Sequence, residues 1–252
     1  MMHAGRKESM WWALVLALAL AWPLGLAAEE RALVPVDLFM QARITIAPEG
    51  RITELAWIEK DKGKLGVGQV IEPTIRALEF EPGAINGVPA VTETTLRMML
   101  RATPTADGNW EIAIRGASTG ALTEKMGPPQ YPMDAAREGV EAEVLSEIDI
   151  DVAGRVTIAS MDFESSRGGD AFRREFLRAS EKAIAGWRFV PERVGGHAVT
   201  GRMRVPISYC LGGRAWCEAR NLAAAAKGVA PNEPVPLDSV ARLKTKLPGA
   251  EI

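Results

Sequence analysis

Histidine, cysteine and tyrosine are nearly missing from this chain: two of each occur in 252 residues. His3 lies at the N-terminus, so His197 is the one imidazole in the body of the protein. A triad would need that imidazole to meet a serine and an acid, and no G-x-S-x-G nucleophile elbow is present. A cationic surplus is also lacking, since 30 Lys and Arg face 32 Asp and Glu for a net charge of −2. That balance excludes a nucleic-acid-binding surface. With no acid–base or nucleophile constellation to assemble, an enzyme is not expected, and neither is a cofactor or a metal.

The one long apolar run is at the start. Arg6-Lys7, the stretch Trp11 to Trp22 and the small residues Gly25, Ala27 and Ala28 have the three parts of a secretory signal. The run falls short of the roughly 20 residues that a spanning helix needs. Counting on through Pro23 to Ala28 lengthens it, so two outcomes stay open: a signal peptide over residues 1–28, or an uncleaved inner-membrane anchor. The expected location is the periplasm, with the membrane touched only through that segment if it is retained. Cys210 and Cys217 both lie in the exported part, with Gly212-Gly213 between them. In an oxidising compartment the pair reads as one disulfide closing a small ring, stabilising by about 2.5 kcal/mol. A metal or redox pair is the weaker alternative, because the spacing is not C-x-x-C.

The body of the chain carries one element twice. Trp187-Arg-Phe-Val-Pro191 is followed by Gly196 and an apolar stretch to Tyr209, and Leu78-Glu-Phe-Glu-Pro82 by Gly87 and Val91 to Leu100. Upstream of the later copy, Val140, Ala142, Val144, Ser146, Ile148, Ile150 and Val152 alternate with Glu141, Glu143, Glu147, Asp149 and Asp151. Period two predicts a half-buried strand with an acidic face. Such carboxylates are about 7 Å apart along a strand, so pairing with Arg155, Arg202 and Arg204 is expected rather than a cation site. Ala153-Gly154 turns the chain into a second arm, whose parity changes near Ala159-Ser160 and calls for a bulge. Asp170 is placed to cap a helix whose stripe is Phe172, Phe176, Ala179, Ala183, Ile184 and Trp187. In the last strand Met203, Val205 and Ile207 alternate inward against Arg202 and Arg204. Trp187 and Phe189 are expected in the core, and His197 in a surface turn. The earlier copy follows the same plan with a poor helix, interrupted by Gly66, Gly68 and Pro73, and adds an arm at Trp110 to Ile114.

Gln130-Tyr131-Pro132, a small-residue helix, a strand into a Gly-Arg turn, a helix ending Trp-Arg-Phe-x-Pro, a Gly turn and a final Val-Pro-Ile strand stand here in one order. The set resembles the C-terminal domain of TonB, the energy transducer of Gram-negative outer-membrane import, clearly over residues 128–210 and weakly over 40–101. The resemblance implies an α+β fold: two tandem small domains, each an antiparallel three-stranded sheet packed on helix. The expected division is a signal peptide at 1–28, a divergent domain with an extra strand at 34–116, a linker at 117–129, a second domain at 130–217 and a tail at 218–252, with a short alanine-rich helix from Glu218 to Lys227 and a mostly extended stretch over 228–252. The family's activity is binding an extended receptor segment as an added strand, by β-augmentation. Carried over, the partner-binding edge is Gly201, Arg202, Met203, Arg204, Val205 and Ile207. Gln130 and Tyr131 are entry contacts, although Tyr131 reads first as an anchor covering one end of the core. Pro128 stands where the family has a glutamine. Trp11 to Ala28 contains no Ser or His, and no long Pro-rich spacer follows it, unlike the transducer.

Two function classes follow: a periplasmic module that binds an envelope protein such as an outer-membrane receptor segment, or an assembly protein whose repeats pair edge to edge, within the chain or in a homodimer. An anchored TonB-like transducer is the further alternative. The leader generates the first prediction. N-terminal sequencing of exported protein should begin at Ala28 or Glu29, and recovery of the full leader in inner membranes would establish the anchor instead.

Overall fold

A computed structural model describes residues 34–58, 61–212, 215–226 and 232–247. The expected leader lies outside them. Among the described residues no helix is long and apolar enough to cross a membrane. The architecture is mixed α and β, with mostly antiparallel sheets and few helices.

The first half contains β1 (Val36–Ile46), β2 (Ile52–Trp57), α1 (Lys62–Arg76), β3 (Thr92–Pro104) and β4 (Trp110–Gly120). Its sheet runs β2-β1-β3, with β4 paired to the other side of β3. The second half contains α2 (Met133–Arg137), β5 (Ala142–Ile150), β6 (Val156–Ser165), α3 (Arg173–Ile184) and β7 (Gly201–Tyr209), followed by α4 (Ala215–Ala226). Its sheet repeats the order as β6-β5-β7.

The reason is visible in the burial pattern. Ala142, Val144, Ser146, Ile148 and Ile150 of β5 and Met203, Val205, Ile207 and Tyr209 of β7 are all buried, as their alternation predicts. Phe176, Ile184, Trp187 and Phe189 close over them to make one core. Burying each such large apolar side chain contributes about 1.5–3 kcal/mol. The parity change in β6 is resolved by a register shift between Ile158 and Ser160. A second core joins Met40, Ile44, Ile46, Leu96, Met98 and Leu100 to Ile71 and Ile75 of α1 and to Phe80.

Both halves close their first hairpin in the same way. Gly50 N–H donates to Ala47 O, and Gly154 N–H to Asp151 O, at 2.8 and 2.9 Å. Each glycine then accepts from the Phe-x-Pro segment: Phe80 N–H to Gly50 O at 2.9 Å, and Phe189 N–H to Gly154 O at 3.0 Å. Both glycines have positive φ, +87° and +76°, and a Cβ on either would stand about 2 Å from the phenylalanine carbonyl oxygen. Only glycine satisfies both demands. The later hairpins match as well, with Ala90 N–H donating to Gly83 O and Val199 N–H to Glu192 O.

Several expectations are corrected. Asp170 does not cap α3; it lies in the 3₁₀ turn Gly169–Phe172, and Phe172 occupies the cap position. Helix α1 is a full 15 residues capped by Asp61, whose side chain accepts from Lys64 N–H. Gly68 is less a breaker than a seat, since a Cβ there would come within 2.9 Å of the Trp57 ring. The expected linker 117–129 is structured: residues 117–120 complete β4, and Leu122–Lys125 pairs with Arg188–Val190 of the second half. Glu141 leaves the acidic face. It is buried, and its carboxylate accepts from Leu211 N–H at 2.8 Å and Cys217 N–H at 3.4 Å.

The glycine contacts generate a prediction. Gly154→Ala should lower stability in urea by about 2–3 kcal/mol, from a strained φ plus a clash with Phe189 O. Gly66→Ala, which meets nothing within 4 Å, should instead stabilise α1 by about 0.5–1 kcal/mol.

Candidate functional site

Strand β7 pairs along its whole length with β5, from Gly201 opposite Ile150 to Tyr209 opposite Ala142. Backbone groups alternate sides along a strand. Arg202, Arg204, Pro206 and Ser208 therefore turn their main-chain groups away from β5, toward the outer edge. Their side chains lie on the solvent face. Arg202 forks onto Asp149, with Nε–Oδ1 at 2.7 Å and Nη2–Oδ2 at 3.2 Å, and Arg204 Nη2 meets Glu147 at 2.7 Å. Arg155 pairs with Asp151 at 2.7 Å, which completes the expected cross-strand set. Backbone donation from Arg155, then its side chain, holds the Asp151 carboxyl below the ordinary range. Exposed pairs of this kind are screened by solvent, so they fix register more than they stabilise.

The entry residues divide. Tyr131 stacks edge-on against Phe176 and Tyr209 at 5.7 and 5.5 Å, and its hydroxyl donates to Val140 O at 2.6 Å. Tyr209 is itself buried, which pushes its phenol up to about 12, with the Ser180 hydrogen bond opposing. Gln130 is exposed. Trp187, buried, donates from Nε1 to Gly127 O. His197 is exposed in the turn strand His197–Ala198. Cys210 and Cys217 form the disulfide at the end of β7.

The outer edge of β7 is occupied by the chain's own tail. Val235 pairs with Arg204 and Pro236 with Met203, antiparallel. Leu237 N–H donates to Arg202 O at 2.9 Å. Arg202 N–H donates to Asp238 Oδ1, and Ser208 N–H to Asn232 Oδ1 at 3.2 Å. Thr94–Leu100 of the first half does not pair with β7; its neighbours are β1 and β4.

Beyond Asp238 the tail crosses to the first half over a buried polar cluster. Glu192, only 4% exposed, accepts from Thr94 Oγ1 at 2.5 Å, Ser239 Oγ at 2.8 Å and Val240 N–H at 3.2 Å. Thr119 Oγ1 donates to Ala241 O, and Ala241 is buried. Arg242–Leu243 then pairs with Phe80–Glu81, and Lys244 N–H reaches Glu79 O at 2.8 Å. Beside this cluster Arg97 is 3% exposed. Its Nη2 donates to Ala121 O, while Nε and Nη1 make no hydrogen bond. Burial lowers its guanidinium to about 10, opposed by the charge of Glu233 and then Glu192. Neither Arg97 nor Glu192 was singled out by sequence reasoning, because an isolated charge has no period and its partners lie far away in the chain. Among the described residues no group of three or more His, Cys, Asp or Glu is arranged to hold a metal.

Comparison with known proteins places the similarity on the second half. The family profile of the Gram-negative bacterial TonB protein C-terminal matches residues 127–211. Protein TonB of Xanthomonas campestris pv. campestris, from two strains, is 38% identical over 96 residues, covering 38% of this chain and 40% of that protein. Protein TonB of Vibrio cholerae is 32% identical over 93 residues, 37% of this chain and 36% of its own length. The matched region thus spans about two fifths of these relatives. It holds α2, β5, β6, α3 and β7, and ends just past Cys210.

The Glu192 cluster generates a prediction. Glu192→Ala leaves the donors of Thr94, Ser239 and Val240 unpaired and should lower stability by about 2–3 kcal/mol. Limited trypsin digestion should then cut at Arg242 and Lys244 before any other site, and an unchanged digest would show that Glu192 does not hold the tail.

Proposed function

From a TonB C-terminal domain over residues 127–211, we propose that this chain is a protein-binding module of the cell envelope that takes an extended segment of a partner as an added strand on the outer edge of β7. The partner class is an envelope protein, with a periplasm-facing segment of an outer-membrane receptor as the first candidate. The observation that carries the reading is that the edge already holds an added antiparallel strand, Val235–Pro236 of the chain itself. The backbone provides most of such a contact. Arg202 and Arg204 are committed to Asp149 and Glu147 and add little selectivity.

The first half is read as a diverged copy of the same domain. The shared strand order, the paired glycine contacts at Phe80 and Phe189 and the matching hairpins support that reading. Its own last strand, β3, is closed by β4 along Thr95–Pro104 and by Arg193–Val194 at Thr92 and Glu93. A guest would therefore be received by the second half alone, with the first as a scaffold. The disulfide fits an oxidising compartment such as the periplasm, and the binding role calls for no catalytic group.

The test uses Arg204→Pro. Proline there removes an outward-facing N–H, and Pro206, at the same parity, already sits in the strand. Pulldown from envelope extract with the wild-type chain should enrich an outer-membrane receptor, and Arg204→Pro should lose at least nine tenths of it at unchanged circular dichroism. Equal recovery by the folded variant would sink strand addition at this edge.

A further inference from the structure

We propose that residues Asn232–Asp238 are a built-in guest: a strap that occupies the β7 edge and that an external strand must displace in order to bind. The proposal rests on the strand-addition reading above and names how that site is regulated.

The strap's geometry is that of a guest strand. Leu237 donates inward to Arg202 O, so by alternation Glu233 and Val235 also turn their main-chain groups toward β7, and Pro234 and Pro236 turn away. Both prolines thus stand where the missing N–H would have faced outward. The strap pairs with β7 and leaves its own outer side short of donors, which stops a further strand from adding to it. Continuing that register puts Pro206, which has no N–H to offer, opposite Glu233. Ser208 and Arg202 at the two ends are met by the side chains of Asn232 and Asp238 rather than by backbone. Each outward donor of β7 from Arg202 to Ser208 is therefore accounted for.

Side-chain seats complete the fit. Pro236 lies on Gly120, where a Cβ would come within 2.5 Å of the ring. The Glu233 carboxylate acts on buried Arg97, whose Nε and Nη1 lack hydrogen-bond partners. A displacing segment meets the same features. Its chemistry is an extended stretch with an acidic residue three positions before a proline or small apolar residue.

Displacement is local. The strap's ladder with β7 covers two residue pairs, against nine between β7 and β5. Its C-terminal flank is held independently, by Glu192 and by the pairing of Arg242–Leu243. The strap is thus a low-stability unit between firmer ones. A guest's apparent dissociation constant rises by the inverse of the fraction of molecules in which the strap is open.

The experiment compares the full chain with Val235→Pro/Leu237→Pro, which removes two of the three N–H groups facing β7, and with Glu233→Lys, which alters only the side chain opposed to Arg97. The probe is a fluorescein-labelled peptide of the chain's own residues 232–238, read by anisotropy, with amide hydrogen exchange as the second measurement. In the double variant the Arg202 and Arg204 amides should exchange at least tenfold faster, while Met203 and Val205, which face β5, keep their rates and report an intact fold. The peptide should bind that variant at least tenfold more tightly than wild type and restore protection at Arg202 and Arg204, with Glu233→Lys intermediate. Equal peptide affinity in all three chains, mapped to Arg202 and Arg204, would overturn the strap while leaving strand addition standing. Fast exchange at the released edge with no peptide bound at millimolar concentration would overturn strand addition itself. Unchanged exchange at Arg204 would show that the strap does not cover the edge.

Discussion

The last strand of a sheet presents a row of backbone donors and acceptors that need partners, and both halves of this protein are organised by that demand. In the first half β3 meets it with its own hairpin arm, β4, and with Arg193–Val194 borrowed from the second half. In the second half no arm follows β7 directly, because the chain turns through the Cys210–Cys217 ring into α4. The debt is met instead by residues that return from farther along. The two halves are alike in sheet order and differ in how they close.

That difference accounts for the buried charge between them. Covering β3 on both faces buries Thr94 through Leu100 without interruption, a run that includes Arg97. A lone buried guanidinium is costly unless opposed. Glu192 and Glu233 provide the opposition, one from the second half and one from the tail. Such a cluster adds little net stability, but it accepts only the arrangement in which all three segments are in place. The halves are consequently joined by polar matching rather than by a shared apolar core, each keeping its own.

Much of the second half was legible in the sequence. Where one face of a strand is buried and the other wet, parity speaks plainly, as at Ala142–Ile150 and Met203–Ile207. The Ile158/Ser160 bulge, the Arg–acid pairs and the disulfide followed from local patterns, and the last strand, Gly201–Tyr209, followed from the ordered motifs of residues 128–210. What was hidden depended on distant chain. Thr94–Leu100 lost its alternation because another element covers its second face. Thr119 and Gly120 read as linker by composition, yet they seat Ala241 and Pro236. Gly68 counted against a helix when its role is close approach to Trp57. Pro234 and Pro236 looked like breaks in a loose tail, and their spacing acquires meaning only beside β7.

The pairing of Arg242–Leu243 with Phe80–Glu81 has a kinetic side. Glu79 N–H bonds Thr245 Oγ1 across 166 residues of chain, among the most non-local contacts the fold contains. Such contacts form late, since a long loop must close before they contribute anything. Each half can assemble its own sheet and core as soon as its residues are available. The tail's share of the joint must wait for residues 232–247, and until they arrive the halves meet through Arg193–Val194 on β3 and Leu122–Lys125 on Arg188–Val190.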